Sequence, residues 1–227
     1  DNAMRDFDET VSHHYHSYDG DDVLYGGAED DYFAGCSGED IADGGAGNDH
    51  LLGNGDTDWL FGGDGNDTIL GGDGSDIIFG GNGDDIIYPD IEGEGDGWVA
   101  GIGDDTVRGE AGNDYIYSHL GNEFYIFNVG DGQDTIRDLQ GVDTIYFGNG
   151  ISWDDLTFSQ SENDMVISIN NSTDKIVVKD WFVASDDGIY SYYENNKIEI
   201  FEFADGSKHY KDEIPVGNNT ESITYYM

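Results

Sequence analysis

The chain has 227 residues, with 50 Asp and Glu against 8 Lys and Arg and a formal net charge of −42. A polyanion of that size repels itself unless cations neutralise it, and its sign excludes nucleic acid, whose phosphates need the opposite charge, and disfavours an anionic membrane surface. A single cysteine, Cys36, excludes an intramolecular disulfide framework, and no apolar run approaches transmembrane length.

Residues 1–16 form a poorly defined lead-in. Asp1-Asn2-Ala3 before Met4 read as a cloning remnant, no N-terminal signal peptide is visible, and the chain reads as a piece of a longer protein. His13, His14 and His16 cluster there, and a solvated, frayed segment is preferred over a transition-metal site. From Ser17 a nine-residue period is readable: Asp22 with Leu24, Asp31 with Phe33, Asp40 with Ala42. These units are degenerate, with Glu29 and Cys36 in place of glycines, and Ala42 fills less core than Leu, so the first coils are expected to be looser.

Between Gly44 and Tyr88 the period becomes regular. Gly44-Gly45-Ala46-Gly47-Asn48-Asp49-His50-Leu51-Leu52 recurs from Gly53, Gly62, Gly71 and Gly80, and four of the five copies match Gly-Gly-x-Gly-x-Asp-x-apolar-x at every defined position. This is the nonapeptide pattern of a calcium-binding parallel β-roll. Three glycines let each turn adopt angles that a Cβ would forbid and leave carbonyls exposed. The sixth position supplies a carboxylate (Asp49, Asp58, Asp67, Asp76, Asp85), and the eighth (Leu51, Leu60, Ile69, Ile78, Ile87) points inward from a short strand. Two turns and two strands make a coil of eighteen residues, so alternate repeats stack at roughly the 4.8 Å spacing of paired strands. An Asp from each stacked turn then meets several carbonyls around one gap. Hard oxygen donors in a flexible cage suit Ca²⁺ better than Mg²⁺, and zinc would want His or Cys.

Pro89-Asp90 reads as a two-residue insertion, after which the phase resumes with Asp96 and Trp98, Asp105 and Val107, and the intact unit Gly109-Glu110-Ala111-Gly112-Asn113-Asp114-Tyr115-Ile116-Tyr117. The next copy carries Glu123 in the Asp place. A second small insertion near Phe127-Asn128 precedes Asp134 with Ile136 and Asp143 with Ile145. Alternate repeats then predict two columns of acids. One holds Asp22, Asp40, Asp58, Asp76, Asp96, Asp114 and Asp134; the other holds Asp31, Asp49, Asp67, Asp85, Asp105, Glu123 and Asp143.

Beyond Gly150 glycine thins out and alternating apolar runs emerge. Leu156-Thr157-Phe158, Met165 to Ile169, Ile176-Val177-Val178 and Ile198 to Phe203 read as antiparallel-type strands, with turn signals at Asn170-Asn171 and Ala204-Asp205-Gly206. A solenoid leaves an open strand edge at its end, and a β-rich cap is the expected remedy. Trp153, Trp181, Phe182, Tyr190, Tyr192 and Tyr193 offer an alternative role there, a face for cell-surface glycan. The expected organisation is a lead-in over 1–16, a roll over 17–146, a cap over 147–214 and, over 215–227, a tail or the start of a next module.

The repeats resemble those of the RTX family, the haemolysin-type calcium-binding repeats of bacterial secreted toxins, proteases, lipases and adhesins. Later residues resemble a haemolysin-type calcium-binding-related domain: Asp143-Thr144-Ile145, Asp155-Leu156-Thr157-Phe158, Lys179-Asp180-Trp181-Phe182 and Ile200 to Gly206. The resemblance implies an all-β, right-handed parallel β-roll with Ca²⁺ between successive turns on each edge. One turn would give carbonyls at its second and fourth positions plus its Asp, and the next turn carbonyls at its first and third positions plus its Asp. On this chain Gly45, Gly47 and Asp49 would share an ion with Gly62, the main chain of Asp64, and Asp67. Gly63, Gly65 and Asp67 would share one with Gly80, Asn82 and Asp85. Gly44, Ala46, Gly71, Gly72, Asp73, Gly74, Gly81, Gly83, Gly109 and Gly112 occupy matching turn positions. Asp56, Glu29 and Glu123 depart from the pattern, so about eight ions are expected, by the coordination the gaps can offer. The resemblance also implies an extracellular protein exported by type I secretion machinery and folding on Ca²⁺ outside the cell. The piece itself is expected to be monomeric.

Catalysis is not expected. H-E-x-x-H and G-x-S-x-G are absent, Asp-Pro does not occur, and carboxylate pairs are indistinguishable from repeat acids. Gly93-Glu94-Gly95-Asp96-Gly97 is surrounded by acid that would repel phosphate. Ice binding by a Thr rank is excluded, since the third position reads Ala46, Gly55, Asp64, Asp73 and Asn82.

Overall fold

The computed structural model describes residues 2–5, 14–16, 20–92, 99–183 and 197–215. The expectations for His13, Asp96, Trp98, Tyr190, Tyr192 and Tyr193 lie outside the described residues. The chain is all-β, and each nine-residue unit contributes a turn and a strand, successive strands falling alternately in two sheets. The first sheet runs Asn2–Arg5, Asp22–Gly27, Ile41–Ala46, Trp59–Asp64, Ile77–Asn82, Thr106–Ala111, Phe124–Phe127, Thr144–Phe147, Ile200–Phe203 and Lys208–Tyr210. The second runs His14–His16, Tyr32–Ser37, His50–Gly55, Thr68–Asp73, Ile86–Tyr88, Tyr115–Ser118, Gln133–Asp138, Lys175–Val178, Asp164–Ile169 and Leu156–Ser161.

Within the roll the pairing is parallel, and its register carries the period. Leu60 lies between Ala42 and Ile78, and Leu51 between Phe33 and Ile69. Period-two alternation in each short strand sends the eighth-position side chains inward, and from Leu24 to Ile145 they form one buried column. Every described residue of that column is apolar or aromatic, so hydrophobic burial acts along the axis. The same core continues into Phe147, Met165, Ile176, Trp181, Phe201 and Phe203.

The structure corrects the insertion at Pro89-Asp90. Asp76 is followed in its column by Asp105 and Asp85 by Asp114, a step of 29 residues where Asp67 to Asp85 takes 18, so eleven residues are inserted rather than two. The insert thus has the length of a whole nonapeptide unit and the two expected residues. Its ends pair as an antiparallel hairpin, Ile91 opposite Ala100 and Glu92 opposite Val99. The physical reason is an apolar strip on the outward side of the second sheet, where Ala34, Leu52 and Leu70 pack together and Ile91 buries itself against them. The expected columns therefore change partners after Asp76 and Asp85. The second insertion is two residues long as expected, since Asp114 to Asp134 and Glu123 to Asp143 each take a step of 20.

Beyond residue 150 the strands are only half antiparallel. Leu156–Ser161, Asp164–Ile169 and Lys175–Val178 form an antiparallel meander, but Lys175–Val178 also joins Gln133–Asp138 in parallel. Ile200–Phe203 joins Thr144–Phe147 in parallel and then turns back on Lys208–Tyr210. Both sheets of the roll are thus extended by one more parallel strand before antiparallel strands end them. Trp181 is buried in the core, and Trp153 stacks on His209 with centroids 4.1 Å apart, so neither indole forms an open ligand face. Among the described residues no helix is long and apolar enough to cross a membrane.

Candidate metal centre

The turns at the two edges of the roll hold the carboxylates in two buried columns. The first contains Asp22, Asp40, Asp58, Asp76, Asp105, Glu123 and Asp143; the second contains Asp31, Asp49, Asp67, Asp85, Asp114 and Asp134. Parallel register brings equivalent sixth positions together, and the backbone N–H of the sixth residue donates to the carboxylate one coil later along both columns, except at Asp105, whose neighbour Glu123 accepts from no donor. Asp49 N–H donates to Asp67 Oδ1 over 2.7 Å, Asp67 N–H to Asp85 over 2.8 Å, and Asp40 N–H to Asp58 over 2.8 Å. Asp22 and Asp31 begin the ladders by donating to Asp40 and Asp49.

One oxygen of each Asp that accepts in the ladder is thereby used, and the other is not. Oδ2 of Asp40, Asp49, Asp58, Asp67, Asp76, Asp85, Asp105, Asp114 and Asp143 is buried without a hydrogen-bond donor. In Asp40, Asp49, Asp58, Asp67, Asp76 and Asp85 it points to the glycine that begins its own turn, where the carbonyl of the next coil also arrives. A Cβ at Gly44 would run into both Asp49 Oδ2 and the Gly62 carbonyl, and one at Gly62 into Asp67 Oδ2 and the Gly80 carbonyl. Gly80 stands in the same relation to Asp85 and Gly109, and Gly71 to Asp76 and Pro89. The second and fourth positions complete the lining. Gly63 (φ +115°) and Gly65 (φ +133°) are left-handed, and a Cβ there would collide with the Gly45 and Gly47 carbonyls. Gly72 and Gly74, then Gly81 and Gly83, repeat this arrangement, and Gly112 stacks on the Gly83 carbonyl. Gly47 N–H also donates to the Asp64 carbonyl over 2.8 Å.

These surroundings contain acceptors and little else. Burial pushes Asp40, Asp67, Asp114 and Asp143 up to about 6, Asp49, Asp76 and Asp85 to about 7, Asp58 and Asp134 to about 8, and Asp105 to about 9. Backbone N–H donation opposes burial but does not offset it. The basic side chains pair elsewhere: Arg108 with Glu110, Lys179 with Asp164, Lys208 with Glu202, Lys211 with Glu199. A buried carboxylate with no donor and no countercharge costs several kcal/mol. All-oxygen gaps of this kind fit a hard divalent cation, and the chemistry of the donors matches Ca²⁺.

The third-position residues behave differently from the glycines around them. Asp64, Asp73 and Asn82 turn their side chains outward, and Asn82 Nδ2 donates to Asp64 Oδ1 over 2.7 Å, so only their main chain faces a gap. Three features escaped the motif reading. The carbonyl of Pro89, expected to lie in an insertion, stands at a first position and joins a gap beside Gly71 and Asp76. The fifth position, undefined in the pattern, builds an outer ladder in which Asn48 N–H donates to Asp30, Asn66 N–H to Asn48 and Asp84 N–H to Asn66. The Asn and Asp residues at that position were the available signal. Asp90 and Asp138, finally, lie among the buried acids although neither stands at a sixth position.

A family model described as the RTX calcium-binding nonapeptide repeat matches residues 16–51, 35–69, 52–87, 99–125 and 126–152, more than half of the chain. A second, the haemolysin-type calcium binding protein related domain, matches residues 164–208. Comparison with curated proteins returns no match. The repeat matches break between 87 and 99, where the eleven-residue insert departs from the roll.

Proposed function

The chain belongs to the RTX family of calcium-binding nonapeptide-repeat proteins, and from that premise we propose that it is the calcium-folded portion of a secreted RTX protein of toxin or adhesin type. The observation that carries this reading is the pair of columns in which buried Asp oxygens face main-chain carbonyls with no donor between them. Gly45, Gly47 and Asp49 with Gly62, Asp64 and Asp67 would hold one Ca²⁺, and Gly63, Gly65 and Asp67 with Gly80, Asn82 and Asp85 the next. About eight ions fit the gaps along both edges. Residues 17–146 are then the calcium-binding roll and 147–214 its cap.

Bound cations supply the countercharge that a chain of net charge −42 lacks. Sites in extracellular modules bind at roughly 10⁻⁴ to 10⁻³ M, and at tenfold excess each adds about 1.4 kcal/mol. Several together exceed the stability of an ordinary domain. Where free Ca²⁺ is scarce, as in cytosol, repulsion keeps the chain open, which suits passage through a type I secretion channel; outside the cell it folds. The acids are committed to cations, so catalysis by the parent protein is assigned to other parts of it. Circular dichroism in chelator and in millimolar Ca²⁺ tests the reading: disorder in the first and β-structure in the second are expected, and an unchanged spectrum overturns it.

A further inference from the structure

The last coils of the roll carry carboxylates that the nonapeptide pattern does not contain. Asp138 ends strand Gln133–Asp138 and occupies the first position of its unit, where the repeat has Gly, and Ser118 does the same one coil earlier. Asp90 lies in the same turn of the preceding coil, where Ser118 Oγ donates to Asp90 Oδ2 over 2.5 Å and His119 N–H donates to it over 3.0 Å. In the central coils this position is glycine, on which the sixth-position Oδ2 and the next carbonyl close. Here it carries side chains, Ser118 and the acid Asp138, with Asp90 beside them.

The result is a chain of five buried carboxylates inside the turn. Asp90, Asp105 and Glu123 each place an oxygen within 4.8 Å of the others, and so do Glu123, Asp138 and Asp143. Glu123 belongs to both groups. All five residues are 1% exposed or less. The donors present are few: Asp76 N–H to Asp105 Oδ1 over 2.7 Å, Tyr125 OH to Asp138 Oδ2 over 2.6 Å, Glu123 N–H to Asp143 Oδ1 over 3.0 Å, and the two on Asp90. Asp90 Oδ1, Asp105 Oδ2, Asp138 Oδ1, Asp143 Oδ2 and both oxygens of Glu123 remain buried without a partner. Among the described residues no ion pair reaches any of the five.

We propose that this turn is an internal two-ion Ca²⁺ site, one ion held by Asp90, Asp105 and Glu123, the other by Glu123, Asp138 and Asp143, with Glu123 bridging. It rests on the calcium reading of the repeats for the identity of the cation and differs from the repeat gaps in its ligands. There one carboxylate per turn is helped by main-chain carbonyls; here carboxylates replace the carbonyls. Five carboxylates match two divalent ions closely, whereas a single ion would leave most of the buried charge uncompensated. The bridging role accounts for Glu at a position where the column otherwise has Asp, since the extra methylene carries two acceptor oxygens further into the turn. A higher ligand charge gives tighter binding, so these two ions outlast those of the central gaps as Ca²⁺ is withdrawn.

Native mass spectrometry of the full chain in CaCl₂ counts the ions. Asp90→Asn and Asp138→Asn leave every sixth-position acid in place, so each is expected to bind about one ion fewer than the wild type, and the double variant about two fewer. Unchanged counts in folded variants overturn the proposal, leaving shared protons between carboxyl groups as the way the cluster is neutralised. If a variant fails to fold, anomalous scattering from a wild-type crystal grown in Ca²⁺ decides: peaks within both carboxylate groups support the site. Peaks confined to the repeat gaps overturn this inference alone, and no bound Ca²⁺ anywhere overturns the calcium reading with it.

Discussion

Asp49 N–H donates to Asp67 Oδ1 over 2.7 Å, while Asp67 Oδ2 stays buried without a donor. One carboxylate thus ties two coils together with one oxygen and presents an unneutralised charge with the other. Asp67 borders the gap towards Asp49 and the gap towards Asp85, so its substitution acts on two ions. Asp67→Ala is expected to weaken two sites together in a calorimetric Ca²⁺ titration and to lower stability in saturating Ca²⁺ by about 3 kcal/mol, the linkage value of two sites at tenfold excess. Loss of a single site would contradict the shared-carboxylate geometry.

Burial raises the column acids above their unfolded values, with Asp58 and Asp134 at about 8 and Asp49 and Asp76 at about 7. Without cation the folded roll therefore binds more protons than the unfolded chain. Their contribution to stability is fully present below the unfolded carboxylate value near 3.9 and is lost as pH rises through about 6 to 8. In Ca²⁺-free buffer, β-structure measured by circular dichroism should be greater at pH 4 than at pH 8. The reverse order would mean that other charges control the metal-free chain.

Backbone strain marks where the pattern has lost a glycine. Asn54 at the second position has φ +77°, while its counterpart one coil later, Gly72, has φ +114° without a side chain. Asn54→Gly should raise the melting temperature in Ca²⁺, by an amount equivalent to a few tenths of a kcal/mol up to about 1. Gly63→Ala should do the opposite and cost more, because its Cβ would meet the Gly45 carbonyl.

Among the described side chains of the insert, Ile91 is buried against the second sheet. Ile91→Ala exposes the strip of Ala34, Leu52 and Leu70 and should cost about 2–4 kcal/mol in chemical denaturation. Ile102→Ala is the control: Ile102 is 68% exposed, and its loss should fall within about 0.5 kcal/mol of zero. Equal effects would show that the hairpin does not seal the sheet.

Much of this was legible because each unit constrains itself. A Gly-rich turn, a carboxylate and one inward apolar residue recur in phase, and Leu51, Ile69 and Ile87 could be assigned to the core before any coil was stacked. The path at Pro89 was not legible in this way. Nothing local distinguishes a nonapeptide that joins the roll from one that leaves it; the choice depends on Ile91 meeting Ala34, Leu52 and Leu70, three residues from three coils at a position the pattern leaves undefined. The burial of Trp181, one of six aromatics named for an alternative glycan face, was not legible for a related reason, since it is decided by strands that pair across the end of the roll.

From residue order alone follow the nine-residue period, the inward column, the excess of acid and hence the need for cation, all properties that repeat over short distances along the chain. Only the tertiary structure decided which acids are neighbours. Asp76 faces Asp105 and Asp85 faces Asp114 because an eleven-residue detour shifts every later strand by one unit, and Asp90, Glu123 and Asp138 converge because three separate coils turn at the same edge. Electrostatic partnership depends on distance in space, and stacking sets that distance.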